Sequence, residues 1–336
     1  MTHIAILGCG GIARVMSRTL RGMLDRDPNA LCMYATASRG LEKAQALADE
    51  FGFQKAYGSY EELVQDQNVD LVYIATPHSH HYEHIKLCLD HGKNVLCEKA
   101  FTVNAKQARE VCALAEKKGL LLTEAIWTRY MPARRIIDRE LATGFLGKPG
   151  LLTANLCYPI DKVERIRRPE LAGGALLDLG VYPLNFASMV LGDDLVRVDS
   201  AVEKMDTGVD WKDTIRLTYA GGQTAELLAC AGCYSDRRGA LFCEKGTLTV
   251  DNINNPQVIT LQADPRKGGE YKEIRVPKQV TGYEYEVEAC MAALREGRTE
   301  CPDMPHSQTI RMMELMDSLR AQWGLRYPFE DAEAQS

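Results

Sequence analysis

The sequence has no uninterrupted run of about eighteen apolar residues, so no membrane-spanning helix and no membrane partner are expected. A basic stretch leading into a long apolar segment and a cleavage site is also missing, since His3-Ile4-Ala5-Ile6-Leu7 already reads as a strand. A cytoplasmic protein is therefore expected. Excess positive charge is lacking too: 40 Lys and Arg stand against 46 Asp and Glu, a net charge of −6. That balance argues against nucleic acid as a general partner. The 11 cysteines show no disulfide-like frame. An odd number scattered through apolar runs, as at Cys32, Cys88, Cys97 and Cys112, reads as buried, reduced thiols. Cys230-x-x-Cys233 has a redox spacing, but it falls in or beside a strand pattern, where chance accounts for it. Internal repeats and low-complexity segments are absent.

What is present fills 336 residues, enough for two domains. Through about residue 125, short apolar runs alternate with amphipathic helical patterns. Strands are expected at 3–7, 31–37, 69–75, 94–97 and 120–123. Helices are expected between them, with Ser59-x-x-Glu62 as a capping box and Asn104 with Gln107 opening a later helix. This alternation predicts a doubly wound parallel sheet whose strand carboxyl ends share one ligand-binding edge. Beyond it, a helical pattern at 131–143 and a strand pattern at 148–157 lead to further strand-like runs over 196–276. Those runs have no room for crossovers and are expected to be mainly antiparallel. Helical patterns at 283–296 and 305–323 finish the chain. The expected division is 1–124, an α/β dinucleotide-binding Rossmann domain, and 125–336, an α+β substrate-binding domain on a large open sheet.

Gly8-x-Gly10-x-x-Ala13 sits between the first strand and a helix. Gly8 permits the tight turn, Gly10 the approach of a pyrophosphate, and Ala13 close helix–strand packing. The N–H groups of Gly11 and Ile12, at the helix start, would face the phosphates. The alternative is a purely structural glycine turn. After the second strand stands Ser38-Arg39-Gly40, with no acid before Glu42. An NAD site usually places Asp or Glu there, whereas arginine grips a 2′-phosphate, so NADP is expected over NAD. Thr76-Pro77 follows a strand and is placed to line the cofactor. His80, His81 and His84 have helical spacing, but no cysteine or carboxylate completes a ligand set, so no metal is expected. Glu98-Lys99 lies just past another strand. A lysine there can exchange a proton with a substrate hydroxyl, although a surface Glu-Lys pair is the commoner fate of that dipeptide. In Gly173 to Tyr182, Asp178 and Tyr182 stand four apart and would share one face of a helix. The alternative is a buried tyrosine bonded to a neighbouring carboxylate. Arg165-x-Arg167-Arg168 could bind an anionic substrate or be a solvated loop.

Together these residues resemble the glucose–fructose oxidoreductase/inositol 2-dehydrogenase (Gfo/Idh/MocA) family over essentially the whole chain. The resemblance rests on the Gly8 fingerprint, Thr76-Pro77 with His81, Glu98-Lys99 and the segment around Asp178. Ala100 stands where the family usually has proline. Glu124-Ala125-Ile126-Trp127-Thr128-Arg129-Tyr130, Arg168 to Gly174, and Tyr182 in place of histidine resemble the branch of dimeric dihydrodiol dehydrogenases and NADP-linked xylose dehydrogenases. The resemblance implies hydride transfer between NADP and a sugar, cyclic polyol or trans-dihydrodiol. Lys99, Tyr182 and Asp178 would be catalytic. Thr76, Pro77, His81, Glu98, Lys99, Trp127 and Arg129 would lie at the cofactor, and a homodimer would form through the second domain's sheet. Aldose oxidation at the anomeric carbon is the alternative substrate reading, and a non-catalytic NADP-binding sensor the alternative of another class.

Overall fold

The computed structural model describes residues 1–333. The chain begins β1 (Thr2–Leu7), α1 (Gly11–Arg26), β2 (Leu31–Ala37), α2 (Leu41–Phe51), β3 (Lys55–Tyr57), α3 (Tyr60–Gln65), β4 (Leu71–Ile74), α4 (His81–Asp90), β5 (Asn94–Glu98), α5 (Ala105–Lys118) and β6 (Leu122–Ala125). The six strands pair in parallel in the order β3-β2-β1-β4-β5-β6. Helices cover both faces, so β2 and β4 are buried along their whole length, β4 as an unbroken apolar run and β2 with Thr36 donating to the Ala44 carbonyl. The Ser59 hydroxyl accepts the Glu62 N–H, and the Asn104 side chain accepts that of Gln107, each starting its helix where the sequence signalled. Strand order reverses direction between β1 and β4, and the loops leaving those strands open a crevice at the carboxyl edge.

Next come α6 (Pro132–Ala142), β7 (Pro149–Cys157), α7 (Glu164–Arg167), a π-helical turn (Leu176–Gly180) and α8 (Val181–Leu191). They are followed by β8 (Leu195–Lys204), β9 (Asp210–Tyr219), β10 (Thr224–Cys230), β11 (Gly239–Cys243), β12 (Gly246–Val250), β13 (Val258–Ala263) and β14 (Tyr271–Arg275). β7 to β14 form an eight-stranded sheet in the order β14-β13-β12-β11-β7-β10-β9-β8. Every pairing is antiparallel except β7 with β10. The chain has α8, β8 and β9 in which to return between those two strands, which is the crossover length a parallel pair needs. Leu152, Ala154 and Leu156 of β7 and Ala225, Leu227 and Ala229 of β10 are buried on the helix-covered face. Pro169–Leu191 is long and apolar enough to cross a membrane by length and composition alone, but 83% of its most apolar window is buried within the fold. Its continuous helical part, residues 175–191, is the core helix of this layer.

The chain closes with α9 (Glu284–Arg295), α10 (His306–Gln322) and α11 (Pro328–Glu333). Two compact units result: residues 1–130 with 279–314, and 131–278 with the remainder. This differs from the single cut expected after residue 124. The 279–314 segment returns to the first unit because its own bonds lie there. Thr281 Oγ1 meets Thr19 Oγ1 at 2.7 Å, Leu122 N–H donates to the Thr299 carbonyl at 3.0 Å, and Val287, Cys290 and Met291 are buried.

The start of the π-helical turn is set by two features that allow no side chain. Gly174 has φ +117°, and a Cβ there would overlap the buried Asp210 carboxylate, which in turn accepts the Leu176 N–H. Gly174→Ala therefore combines left-handed strain with overpacking. It should destabilise the fold by roughly 2–5 kcal/mol, read as a lowered midpoint in denaturant unfolding, while Gly144→Ala, where the added Cβ meets nothing within 4 Å, costs only the strain.

Candidate active site

The glycine turn after β1 is shaped for a phosphate. Gly8 has φ +101°, its N–H donates to the Ala37 carbonyl at 2.9 Å, and an added Cβ would sit 2.9 Å from the Ala75 oxygen. Gly10 and Gly11 face open space instead: a Cβ at either would meet nothing within 4 Å. Gly10 caps α1 without a side chain, and the first turn holds no acid. The first N–H groups of a 16-residue helix, including those of Gly11 and Ile12, are thus left for an anion, while Ala13 packs fully buried beneath. This cradle fits a dinucleotide pyrophosphate.

At the end of β2, Ser38 is buried and Arg39 exposed. The Arg39 charge is felt by Tyr60, His80 and His84, so these four groups share one edge. The Tyr60 ring stands edge-on to His84 at 4.7 Å, and Thr76 Oγ1 lies 3.0 Å from His84 Nδ1. Burial first, then His80, His81 and Arg39, push His84 down to about 4. The charge of Lys43, in the first turn of α2, also reaches Cys9 in the glycine turn. Lys43 is thus a second cation near the cradle that the sequence reading passed over.

His81 is fully buried, with Nδ1 2.8 Å from the Ala100 carbonyl and Nε2 2.8 Å from that of Thr76. It braces the Thr76-Pro77 loop against the turn after β5. That turn carries Glu98 and Lys99, and the Lys99–Ala100 peptide is cis. Glu98 is buried, accepting from the Tyr73 hydroxyl and from the Lys99 backbone N–H at 3.1 Å. Glu98-Lys99 is therefore no surface pair: the acid turns inward and anchors the turn, leaving Lys99 half-buried at the strand end.

Beneath this turn lie carboxyls that sequence reasoning did not connect. Glu286, from α9, is fully buried, and burial followed by the charge of Glu98 drives it well above the usual carboxylate range. Glu124, on β6, is pushed up to about 7 by burial, with Thr309 and Arg129 pulling the other way. Arg129 itself is only 3% exposed, and Trp127 stacks at 4.1 Å on Tyr283, from the returning segment. Both residues expected at the cofactor are thus built into the packed floor of the unit.

Glu124 gives the fold a pH dependence. The unfolded carboxyl titrates near 4.5 and the folded one at about 7. Below the lower value it is neutral in both states; above the upper value the fold carries a buried charge. Its contribution to stability is therefore full in acid and is lost as pH rises from about 4.5 to about 7. Glu124→Gln should unfold at nearly the wild-type temperature at about pH 5 and above it at about pH 8, as checked by calorimetry.

In the second unit, Asp178 lies within the π-helical turn and Tyr182 in the first turn of α8, which Pro183 shares. The Val181 N–H reaches back to the Leu176 carbonyl, five residues away, so the expected four-residue alignment of Asp178 and Tyr182 is altered. Both residues are buried, and Asp178 takes Arg165 in a two-point ion pair at 2.8 and 3.1 Å. The basic patch is neutralised throughout: Arg167 pairs with Asp206 at 2.6 Å and Arg168 with Glu164 at 2.7 Å. Asp210 and Asp213 form a buried pair beneath the turn, both raised by burial.

Comparison with known proteins extends these observations to the whole chain. A profile described as "Oxidoreductase family, NAD-binding Rossmann fold" (GFO_IDH_MocA) matches residues 2–126, and "GFO/IDH/MocA C-terminal domain" matches residues 133–249. The chain is 34% identical over 334 residues to trans-1,2-dihydrobenzene-1,2-diol dehydrogenase of Bos taurus, covering 96% of this chain and 97% of that protein. It is 33% identical to D-xylose 1-dehydrogenase (NADP(+)) of Hypocrea jecorina, covering 96% and 92%. Among solved structures, a 3-ketoreductase from Actinomadura kijaniata in complex with NADP and TDP-benzene matches with TM-score 0.83 at 26% identity, over 95% of this chain and 97% of that one.

Proposed function

Because this chain belongs to the Gfo/Idh/MocA oxidoreductase family, we propose that it is an NADP-dependent dehydrogenase or reductase acting on a carbinol or carbonyl carbon of a sugar, cyclic polyol or trans-dihydrodiol. The observation that carries the reading lies within the first unit. A phosphate cradle with an arginine and no acid at the end of β2 shares its sheet edge with a half-buried lysine at the end of β5. NADP, when bound, supplies the acceptor or donor of the hydride. Gly10, Gly11 and Ile12 hold its pyrophosphate through backbone N–H groups, and Ser38 and Arg39 hold the 2′-phosphate. Lys99 Nζ takes the proton from the substrate hydroxyl during oxidation and returns it during reduction. Glu98 keeps the Lys99 backbone fixed through its 3.1 Å bond, so the amine meets the substrate oxygen in one orientation. Tyr182 orients the substrate oxygen, and Asp178, held by Arg165, fixes the substrate side of the reaction.

Similarity to the D-xylose dehydrogenase favours aldose oxidation at the anomeric carbon as the second substrate reading. A panel of trans-dihydrodiols, aldopentoses and aldohexoses, followed by NADPH absorbance, separates the two. Failure of every member despite tight NADPH binding would defeat both. The reading also includes a homodimer. One face of the eight-stranded sheet carries Thr153, Asn155, Thr214, Arg216, Glu226 and Leu228 around a shallow cavity of about 560 Å³, and that face would seat a second copy. Light scattering at micromolar concentration tests it. The described cysteines are all free thiols, which suits the cytoplasmic setting of the proposal.

A further inference from the structure

The loops after β1, β2 and β4 leave neighbouring strands and meet along one edge of the first unit. His80 stands there, at the junction of the loop after β4 with α4, and its side chain is exposed. Its two neighbours are committed elsewhere: His81 to a pair of backbone carbonyls, and His84 to Thr76. The His80 ring lies 5.8 Å from that of His84, which is itself edge-on to Tyr60. Among the described residues, the His80 ring makes no hydrogen bond. The charge of Arg39, after β2, reaches the His80 ring, and His80 in turn acts on His81 and His84 of α4; Tyr60 of α3, beside His84, feels Arg39, Glu61 and Cys9, and Cys9 feels Lys43. Partial burial of the ring, then the Arg39 charge, hold His80 toward its neutral form.

A 2′-phosphate changes that balance. A phosphate monoester carries about −1.5 to −2 charges near pH 7 and presents three acceptor oxygens. An arginine fork satisfies two of them. Ser38 is placed for the third, but each oxygen accepts more than one bond, and a histidine beside the same anion can donate to it and has its charged form restored by it.

We propose that His80 is a specificity-determining residue, a further donor to the 2′-phosphate beside Ser38 and Arg39, and that it takes up a proton from solvent when NADPH binds. This rests on the NADP reading given above. NADH has no 2′-phosphate, so the same histidine stays neutral in its presence, and discrimination between the cofactors is coupled to pH. The exposed position lets His80 be changed without disturbing the brace made by His81.

The test is calorimetric titration of the full-length protein with NADPH and with NADH at about pH 7, in two buffers of different ionisation heat, for wild type and His80→Gln. The expected result is greater proton uptake with NADPH than with NADH in the wild type. In the variant the excess should vanish, NADPH affinity should fall about tenfold, and NADH affinity should stay within about twofold. Unchanged proton uptake and affinity in His80→Gln, with NADPH preference intact, would overturn the role of His80 alone. A wild type that binds NADH as tightly as NADPH would instead overturn the NADP reading beneath it.

Discussion

Lys99→Met is expected to lower turnover by roughly 10²–10⁴-fold while leaving the NADPH dissociation constant within about twofold. Methionine keeps an unbranched stem of similar length, so the half-buried position remains filled. The turn is anchored by the Glu98 carboxylate on the Lys99 backbone N–H and by the His81 brace on Ala100, neither of which uses the amine. What is lost is the group that accepts the substrate proton as the hydride leaves. Binding by fluorescence and turnover by absorbance, on one preparation, separate this from unfolding. Lys99→Arg should not restore the rate, because guanidinium does not give up its proton at these pH values. A Lys99→Met enzyme of undiminished turnover would remove lysine from the chemistry.

The second large effect is expected at Arg39. Arg39→Asp should weaken NADPH binding by roughly 10²-fold or more and narrow or invert the preference over NADH. A charge-assisted bond contributes about 1.5–3 kcal/mol, and the new carboxylate repels the phosphate while offering an acceptor to the ribose 2′-hydroxyl of NADH. The pyrophosphate cradle at Gly10 and Gly11 does not involve this side chain, so NADH binding should survive as the internal control. Equal losses for both cofactors would mean that Arg39 holds the fold or the adenine, not the phosphate.

The parallel half of the fold was readable because its signals are local. Strands covered on both faces leave unbroken apolar runs, caps such as Ser59 and Asn104 mark helix starts, and the glycine turn needs particular residues at particular places. What escaped depends on contacts between distant segments. Periodicity announced helices near 283–296 and 305–323, but nothing in it told which core they would join, so Glu286 and Tyr283 could not be placed under Glu98 and Trp127. Four residues between Asp178 and Tyr182 put both on one face of an ordinary helix, and the π-helical geometry, which no spacing signals, alters that alignment. Arg165 looked like one member of a basic patch until the fold set it on Asp178. The resemblance implies His81 at the cofactor, but nothing in its spacing shows that its ring is buried between two carbonyls, where it braces the Thr76-Pro77 loop. Lys43 carries no signal of its own, because a lysine in the first turn of a helix is an ordinary solvated residue until the fold brings its charge to Cys9.

The most direct measurement of the central claim follows the hydrogen itself. With a substrate from the active panel deuterated at its carbinol carbon, and unlabelled NADP, the account predicts deuterium in the recovered NADPH and a primary isotope effect in single turnover. Product formation with no deuterium in NADPH would contradict direct transfer between substrate carbon and cofactor, and with it the reading of this site.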